Sequence, residues 1–361
     1  MRIIVIPLKQ IGDCIVALPV CESLKKTYPD AEIDIVLYDP ITGIAENNPS
    51  ISNIITLSRA DRKHPLKYIK RRLELRKRKY DISIDTLTIY SSGTIGLLSG
   101  AKIRIGFSSN IDRTILFYNR TVPFIEYENK VTNNLNTLKA LGDEIKYVRD
   151  LKVYILEEEK KRLKDRMVEK GIDFKRPVFA FQVQSKMPYK MWPLENYIEV
   201  INYCIDEYDA QIILPWGPGE EKYVKIAKEK INRDKDVFCN INTNNIRELG
   251  MMFCNCDIFI GCDGGPRHLA EAVGLPTYAI FAPSVNTLKR VWNPNTGLKF
   301  QAIEVNDILG LSLDDYIKLL KTFEKGSPEA FKYYRMITPE RVIREISAMM
   351  NDLKKQNVWM H

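Results

Sequence analysis

Asp263, Gly264, Gly265 and His268 stand close enough in sequence to hold a phosphate or a sugar hydroxyl. They lie in Asp257-Ile-Phe-Ile-Gly-Cys-Asp-Gly-Gly-Pro-Arg-His-Leu-Ala-Glu-Ala-Val-Gly-Leu-Pro-Thr-Tyr-Ala-Ile-Phe281. Ile258, Phe259 and Ile260 form a short apolar run of the kind a buried parallel strand shows. Two glycines then allow a tight turn, and Pro266 suits the first turn of a helix. Leu269, Ala270, Ala272 and Val273 give that helix an apolar side, and Gly274 and Pro276 end it. Such a turn presents free backbone N–H groups at a helix N-terminus, which favours phosphate. An aspartate there can equally serve as a helix cap and a histidine can simply pack, and two glycines before a helix are a weak signal alone.

Three further positions could join the chemistry. Asp13 follows the first expected strand, Arg2 to Leu8, at the strand's C-terminal end, where α/β sheets place ligands. It could take a proton from a hydroxyl or cap the next helix. Lys190, in Ser185-Lys-Met-Pro-Tyr-Lys-Met-Trp-Pro193, could neutralise charge on a departing diphosphate or be a surface lysine. Glu220, in Leu214-Pro-Trp-Gly-Pro-Gly-Glu-Glu221, opens a helix after a glycine turn, an arrangement that holds a ribose or base edge. It could also merely favour the helix dipole. Asp234-Lys-Asp236 lies in a charged loop away from these turns and reads as solvated. Three histidines and seven scattered cysteines predict neither a metal site nor a disulfide framework.

Charge is concentrated. The net charge is +8, yet residues 59–79 alone hold eleven Lys or Arg against Asp61 and Glu74, a local +9, which leaves about −1 for the rest. Residues 65–79 have helical spacing, with Leu66, Ile69 and Leu73 expected as a thin apolar stripe beneath the charges. This segment is either a solvated face or a basic surface for an anionic partner.

The elements that must position these residues alternate. Strands are expected at 2–8, 33–37, 51–57, 80–85 and 102–106, with helices between, one from Cys14 to Thr27 kinked at Pro19. A second alternating series starts at Val178 and ends in the stretch around Asp263. Two doubly wound parallel sheets follow from this pattern, and 361 residues suit two domains. Their expected limits are 1–170 and 171–338, followed by a terminal helical segment at 339–361 with Thr338 as its cap. Residues 282–338 show no clear long element. No apolar run spans a bilayer, and the N-terminus lacks signal-peptide features, so a cytoplasmic protein is expected. A Gly-x-Gly-x-x-Gly fingerprint is missing after the first strand, which argues against a dinucleotide enzyme.

The stretch Asp263-Gly-Gly-Pro-Arg-His-Leu-Ala-Glu-Ala-Val-Gly-Leu-Pro276 resembles the Asp-Ser/Thr-Gly-x-x-His-Leu-x-x-Ala-x-Gly-x-Pro signature of the lipopolysaccharide heptosyltransferases, glycosyltransferase family 9. Ile4 to Pro19 is similar to the family's first strand and Gly-Asp turn, Lys190-Met-Trp-Pro193 to its phosphate-binding lysine motif, and Trp216 to Glu221 to its Trp-Gly-x-x-x-Glu-Glu element. The resemblance implies a GT-B fold of two Rossmann-like domains facing a central cleft, with the terminal helix crossing back onto the first domain. It implies inverting, metal-independent transfer of heptose from ADP-heptose to a lipopolysaccharide inner-core acceptor, with no cofactor. Asp13 and Lys190 would be catalytic. Ser185, Glu220, Asp263, Gly264, Gly265 and His268 would bind the donor. Lys63, Lys67, Lys70 and Arg71 would gather an acidic acceptor, with peripheral contact at the anionic inner face of the membrane and no nucleic acid. The chain departs from the family pattern at Leu8, Lys9 and Gln10, at Gln182-Val-Gln184, at Gly264 in place of a hydroxyl residue, and in the spacing from Trp216-Gly217 to Glu220, which is one residue shorter. Another nucleotide sugar and glycan, or a non-catalytic basic protein for lipid or nucleic acid, are the competing readings.

Overall fold

The computed structural model describes residues 1–108 and 115–359, without the side chains of Arg62, Lys63, Pro65 and Ile115. The chain divides into two compact units, Met1–Tyr154 with Asn245–Arg247, and Ile155–Asn244 with Glu248–His361. The helix Glu157–Glu169 therefore counts with the second unit, and the change of unit falls near residue 155, before the glycine-proline stretch at 171–177.

In the first unit the strands are β1 (Arg2–Ile6), β2 (Glu32–Tyr38), β3 (Asn53–Leu57), β4 (Ile82–Asp85), β5 (Ile103–Ser108) and β6 (Arg120–Pro123). They form one parallel sheet in the order β3-β2-β1-β4-β5-β6. The helices are α1 (Ile11–Ile15), α2 (Leu18–Thr27), α3 (Pro65–Glu74), α4 (Tyr90–Leu98) and α5 (Lys130–Asn136). Ile3, Ile4, Val5 and Ile6 of β1 are fully buried, as a strand covered on both faces demands. The expected kinked helix is two helices: Pro19 sits in the first turn of α2, where its missing N–H leaves no bond unmade. Strand β6 has no forecast in the sequence, because Arg120-Thr-Val-Pro123 carries a single buried apolar side chain.

The second unit repeats the scheme. Its strands are β7 (Val178–Gln182), β8 (Gln211–Ile213), β9 (Val237–Phe238), β10 (Ile258–Cys262), β11 (Thr277–Ile280) and β12 (Phe300–Ile303), parallel in the order β12-β11-β10-β7-β8-β9. Its helices are α6 (Glu157–Glu169), α7 (Leu194–Tyr208), α8 (Glu221–Glu229), α9 (Ile246–Phe253, whose first two residues count with the first unit) and α10 (Gly265–Ala272). Then come α11 (Lys289–Trp292), α12 (Asn306–Leu309), α13 (Leu313–Lys321), α14 (Pro328–Tyr334) and α15 (Pro339–Lys355). Residues 282–338, which looked featureless, thus hold four short helices and an edge strand. Their Ser, Asn and Pro punctuation marks caps: Ser312 and Ser327 each accept a backbone N–H at a helix start. Thr338 caps α15 by accepting the Arg341 N–H at 3.4 Å. Val342, Ile346, Met349, Met350 and Leu353 of α15 are buried. The helix lies on α7, where the Tyr203 hydroxyl meets Ser347 Oγ at 2.8 Å. Among the described residues no helix is long and apolar enough to cross a membrane.

Both sheets change direction between their first and fourth strands. That break opens a crevice at the strands' C-terminal ends, the usual ligand position in such sheets. Asp13 follows β1, and Lys190 and Asp263 follow β7 and β10, so the topology sends these side chains to the switch points.

Candidate active site

In the second unit, β7 and β10 are neighbours, with Gly261 beside Gln182 in register. A Cβ on Gly261 would sit 2.8 Å from Gln182 Cβ, so this glycine is what lets the Gln182 side chain occupy the head of the crevice. Gln182 donates to the Gln184 carbonyl at 3.0 Å, and Gln184 donates to the Pro215 carbonyl at 2.6 Å. The Oε1 atoms of both are buried without a hydrogen-bond partner, acceptors available to a ligand donor.

Lys190 reaches across this crevice to Asp263, with Nζ 2.7 Å from Oδ2. Burial works against the Lys190 charge, but attraction to and hydrogen bonding with Asp263 outweigh it, and the ammonium ends above its ordinary value. The lysine's own backbone is pinned: the Tyr334 hydroxyl donates to its carbonyl at 3.0 Å, and Trp192, buried two residues on, donates to the Ile337 carbonyl at 3.0 Å. The segment 328–338 therefore fixes a site residue, although its sequence gave no hint of it.

Asp263 ends β10 and precedes α10, whose N-cap position is Gly264. Gly264 is extended (φ 179°), and nothing lies closer than 3.8 Å to a Cβ placed there. Its glycine is therefore not required by the turn, contrary to the sequence expectation. Arg267 is fully buried. It donates to Glu271 Oε2 at 3.0 Å, to Asn293 Oδ1 at 3.2 Å and to the Trp292 carbonyl, and its Nη2 lies 3.6 Å from Asp263 Oδ1. Asp263 is thus shared by two cations, Lys190 on Oδ2 and Arg267 on Oδ1. His268 is buried beside them, its Nε2 3.7 Å from Asp263 Oδ1. Burial first, then repulsion from Arg267 and Lys190, hold its pKa well below the usual value, so the imidazole is neutral. Burial likewise raises the Glu271 carboxyl against the pull of Arg267.

The other forecast donor residues sit nearby in the same unit. Ser185 Oγ accepts the Met187 N–H at 3.2 Å. Glu220 is the N-cap residue of α8; its Oε2 turns back to accept the Gly217 N–H at 2.8 Å and lies 3.5 Å from Gln184 Nε2. That places Glu220 beside the second orphaned glutamine.

In the first unit Asp13 is the third residue of α1, and the cap position belongs to Gln10. Asp13 is buried, and Lys9 Nζ lies 3.4 Å from its Oδ1. Lys130, first residue of α5, also feels it: burial lowers the Lys130 ammonium's pKa, Asp13 draws it up and Lys9 pushes it down. Sequence reasoning passed over Lys130 because its helix follows an irregular stretch. Of the forecast acceptor cations, Lys67 and Arg71 are tied to buried Asp61 at 2.9 and 3.1 Å, whereas Lys70 is exposed. The side chain of Lys63 lies outside the described residues. A cleft of about 520 Å³ runs along edge strand β3 past Arg71, Glu74 and Arg78. It lies at the sheet's margin, two strands from β1 and Asp13.

Comparison with known proteins accords with this geometry. Residues 69–304 match the family model "Glycosyltransferase family 9 (heptosyltransferase)". Lipopolysaccharide heptosyltransferase 3 of Escherichia coli is 24% identical over 291 residues, 79% of this chain and 84% of that protein. The crystal structure of the glycosyl transferase family 9 from Veillonella parvula superposes with a TM-score of 0.82 at 20% identity, covering 97% of both chains. E. coli heptosyltransferase WaaC, solved with ADP-2-deoxy-2-fluoro heptose, gives a TM-score of 0.71 at 17% identity over 96% of this chain and 99% of that one. The chain carries the two-sheet GT-B fold of these enzymes and belongs to glycosyltransferase family 9, the heptosyltransferases.

Proposed function

We propose that this glycosyltransferase is an inverting, metal-independent enzyme that moves a heptose from ADP-heptose to the inner core of lipopolysaccharide, working in the cytoplasm. The observation that carries this reading is the buried Lys190–Asp263 ion pair at the switch point of the second sheet, beside the N-terminus of α10. The family match and the ADP-sugar analogue bound by the E. coli relative support it.

Asp13 takes the proton of the acceptor hydroxyl, whose oxygen attacks the anomeric carbon as the bond to the diphosphate breaks. Lys190 and the N–H groups of Gly264 and Gly265 stabilise the charge that gathers on the departing ADP. Lys190 must leave Asp263 to do so, and Arg267 remains to balance the aspartate. Asp263, with neutral His268 behind it, accepts hydrogen bonds from donor hydroxyls, and Ser185 adds a hydroxyl toward phosphate. Glu220 faces the nucleoside. Lys63, Lys67, Lys70 and Arg71 gather the acidic acceptor.

Calorimetric titration with ADP, UDP, GDP and NAD⁺ tests this on wild type and Lys190→Ala. Selective ADP binding, weakened about ten- to hundredfold by the loss of one charge-assisted contact, is expected. Preference for UDP or GDP would keep the family and discard heptose. The orphaned Gln182 and Gln184 acceptors give that second reading its foothold, since they replace the family's glycine turn.

A further inference from the structure

Trp216 takes no part in the transfer chemistry, yet it stands among the residues that do. It follows the C-terminal end of β8, on the rim that also carries Lys190 after β7 and Asp263 after β10. It is held from three sides. The indole Nε1–H donates to the Cys239 carbonyl, beyond β9, at 2.8 Å. Gln184 Nε2 donates to the Pro215 carbonyl at 2.6 Å, and Glu220 Oε2 accepts the Gly217 N–H at 2.8 Å. Both the ring and the backbone on either side of it are therefore fixed.

The indole has one polar atom, and the bond to Cys239 uses it, so whatever ring surface stays exposed is apolar. Trp192 and Trp359 are buried, but Trp216 is only half-buried. Gly217, Pro218 and Gly219 follow it, and none has a side chain long enough to fold over the ring. A Cβ on Gly217 would sit 3.2 Å from Glu220 Oε2, so the glycine makes room for that carboxylate. Nothing lies within 4 Å of a Cβ on Gly219.

A fixed, half-exposed aromatic face at the ligand-binding rim of a parallel sheet suits a flat aromatic group of the ligand. Its placement suits a nucleotide. From β10 to β8 is two strand spacings, about 10 Å, which is about the span from a diphosphate across a ribose to a base. With the diphosphate at Lys190 and the turn at Gly264, the ribose falls beside Glu220 and the base over Trp216. We infer that Trp216 is the stacking platform for the donor's nucleobase, and that it favours a purine, whose fused rings cover more of the indole than a pyrimidine does. This rests on the nucleotide-sugar reading of the site and adds to it the residue that selects the class of base.

Calorimetry on the full-length protein tests the inference with ADP, UDP and inorganic pyrophosphate, which carries the phosphates without the base. Trp216→Leu should weaken ADP about tenfold or more, as the loss of one base stack does, and leave pyrophosphate within about twofold of wild type. Trp216→Phe should keep ADP within about threefold of wild type. Wild type should hold ADP severalfold tighter than UDP, and Trp216→Leu should erase most of that gap. ADP should quench the tryptophan emission of wild type and not that of Trp216→Phe, whereas pyrophosphate should quench neither. The quenching comparison does not depend on Trp216→Leu being able to fold. Equal ADP affinity in wild type and Trp216→Leu would overturn the inference and leave the nucleotide reading intact. So would equal losses of ADP and pyrophosphate, the mark of a residue that only supports its loop. A wild type that binds pyrophosphate but no nucleotide would overturn both readings together.

Discussion

Replacing Arg267 with methionine separates the structural from the functional share of the buried charges behind Asp263. The Arg267–Glu271 pair is fully buried at 3.0 Å. With an effective dielectric constant of about 20, its attraction is about 5 kcal/mol, before the desolvation that offsets much of it. Removing one partner leaves Glu271 buried without its cation and takes a countercharge from Asp263 Oδ1. The expected loss is about 3–5 kcal/mol. Arg267→Met with Glu271→Ala removes both charges and should recover more than half of that loss, a coupling measurable as a double-mutant cycle in urea unfolding. Nucleotide affinity should follow a different course. In the double variant Asp263 has only Lys190 to balance it, so Lys190 is held back from phosphate. ADP should then bind about tenfold more weakly, about 1.4 kcal/mol, although the fold is restored. A single substitution costing less than about 1 kcal/mol, or a double variant costing the sum of the two singles, would refute the pairing. Restored stability with wild-type affinity would refute the role given to Arg267 in releasing Lys190.

Other expectations follow from single contacts. Asp13→Ala should abolish sugar transfer while leaving ADP affinity within about twofold of wild type, because the proposed mechanism uses the residue in the acceptor step; equal loss of both would remove it as the base. Gly264→Ser should fold as wild type, since a Cβ there meets nothing within 3.8 Å, and should tighten ADP severalfold by restoring a hydroxyl at the turn. Gly261→Ala should destabilise by about 1–3 kcal/mol, because its Cβ would meet Gln182 Cβ at 2.8 Å. Glu304 is pushed up to about 7 by burial, with its Oε2 accepting the Lys289 N–H. An acid whose folded pKa is raised contributes stability below its unfolded value that is lost as pH rises through the folded value. Glu304→Gln should therefore match wild type below about pH 4.5 and exceed it by about 3 kcal/mol above pH 8, as read by urea unfolding across pH.

The frame that places Asp13, Lys190 and Asp263 at the switch points could be read from the chain because it rests on backbone chemistry. Apolar runs followed by Gly-Asp or Asp-Gly-Gly mark strand ends, and strand ends at a switch point are where ligands go. The support for that frame was not legible, because it comes from residues distant in sequence. Arg267 looked like any helix arginine until Glu271, Asn293 and the Trp292 carbonyl enclosed it. The backbone of Lys190 is held by Tyr334, about 140 residues away, from a stretch with no periodicity of its own. Helix α3 shows the opposite failure. Its spacing was read well, but periodicity states only that three apolar side chains share a side, and which side meets the protein is decided by the partners. Asp61 takes Arg71, and Tyr68 with Arg72 fills the inner face, so Leu66, Ile69 and Leu73 are turned to solvent. Burying those three side chains against protein would be worth several kcal/mol. Leaving them exposed forgoes that gain.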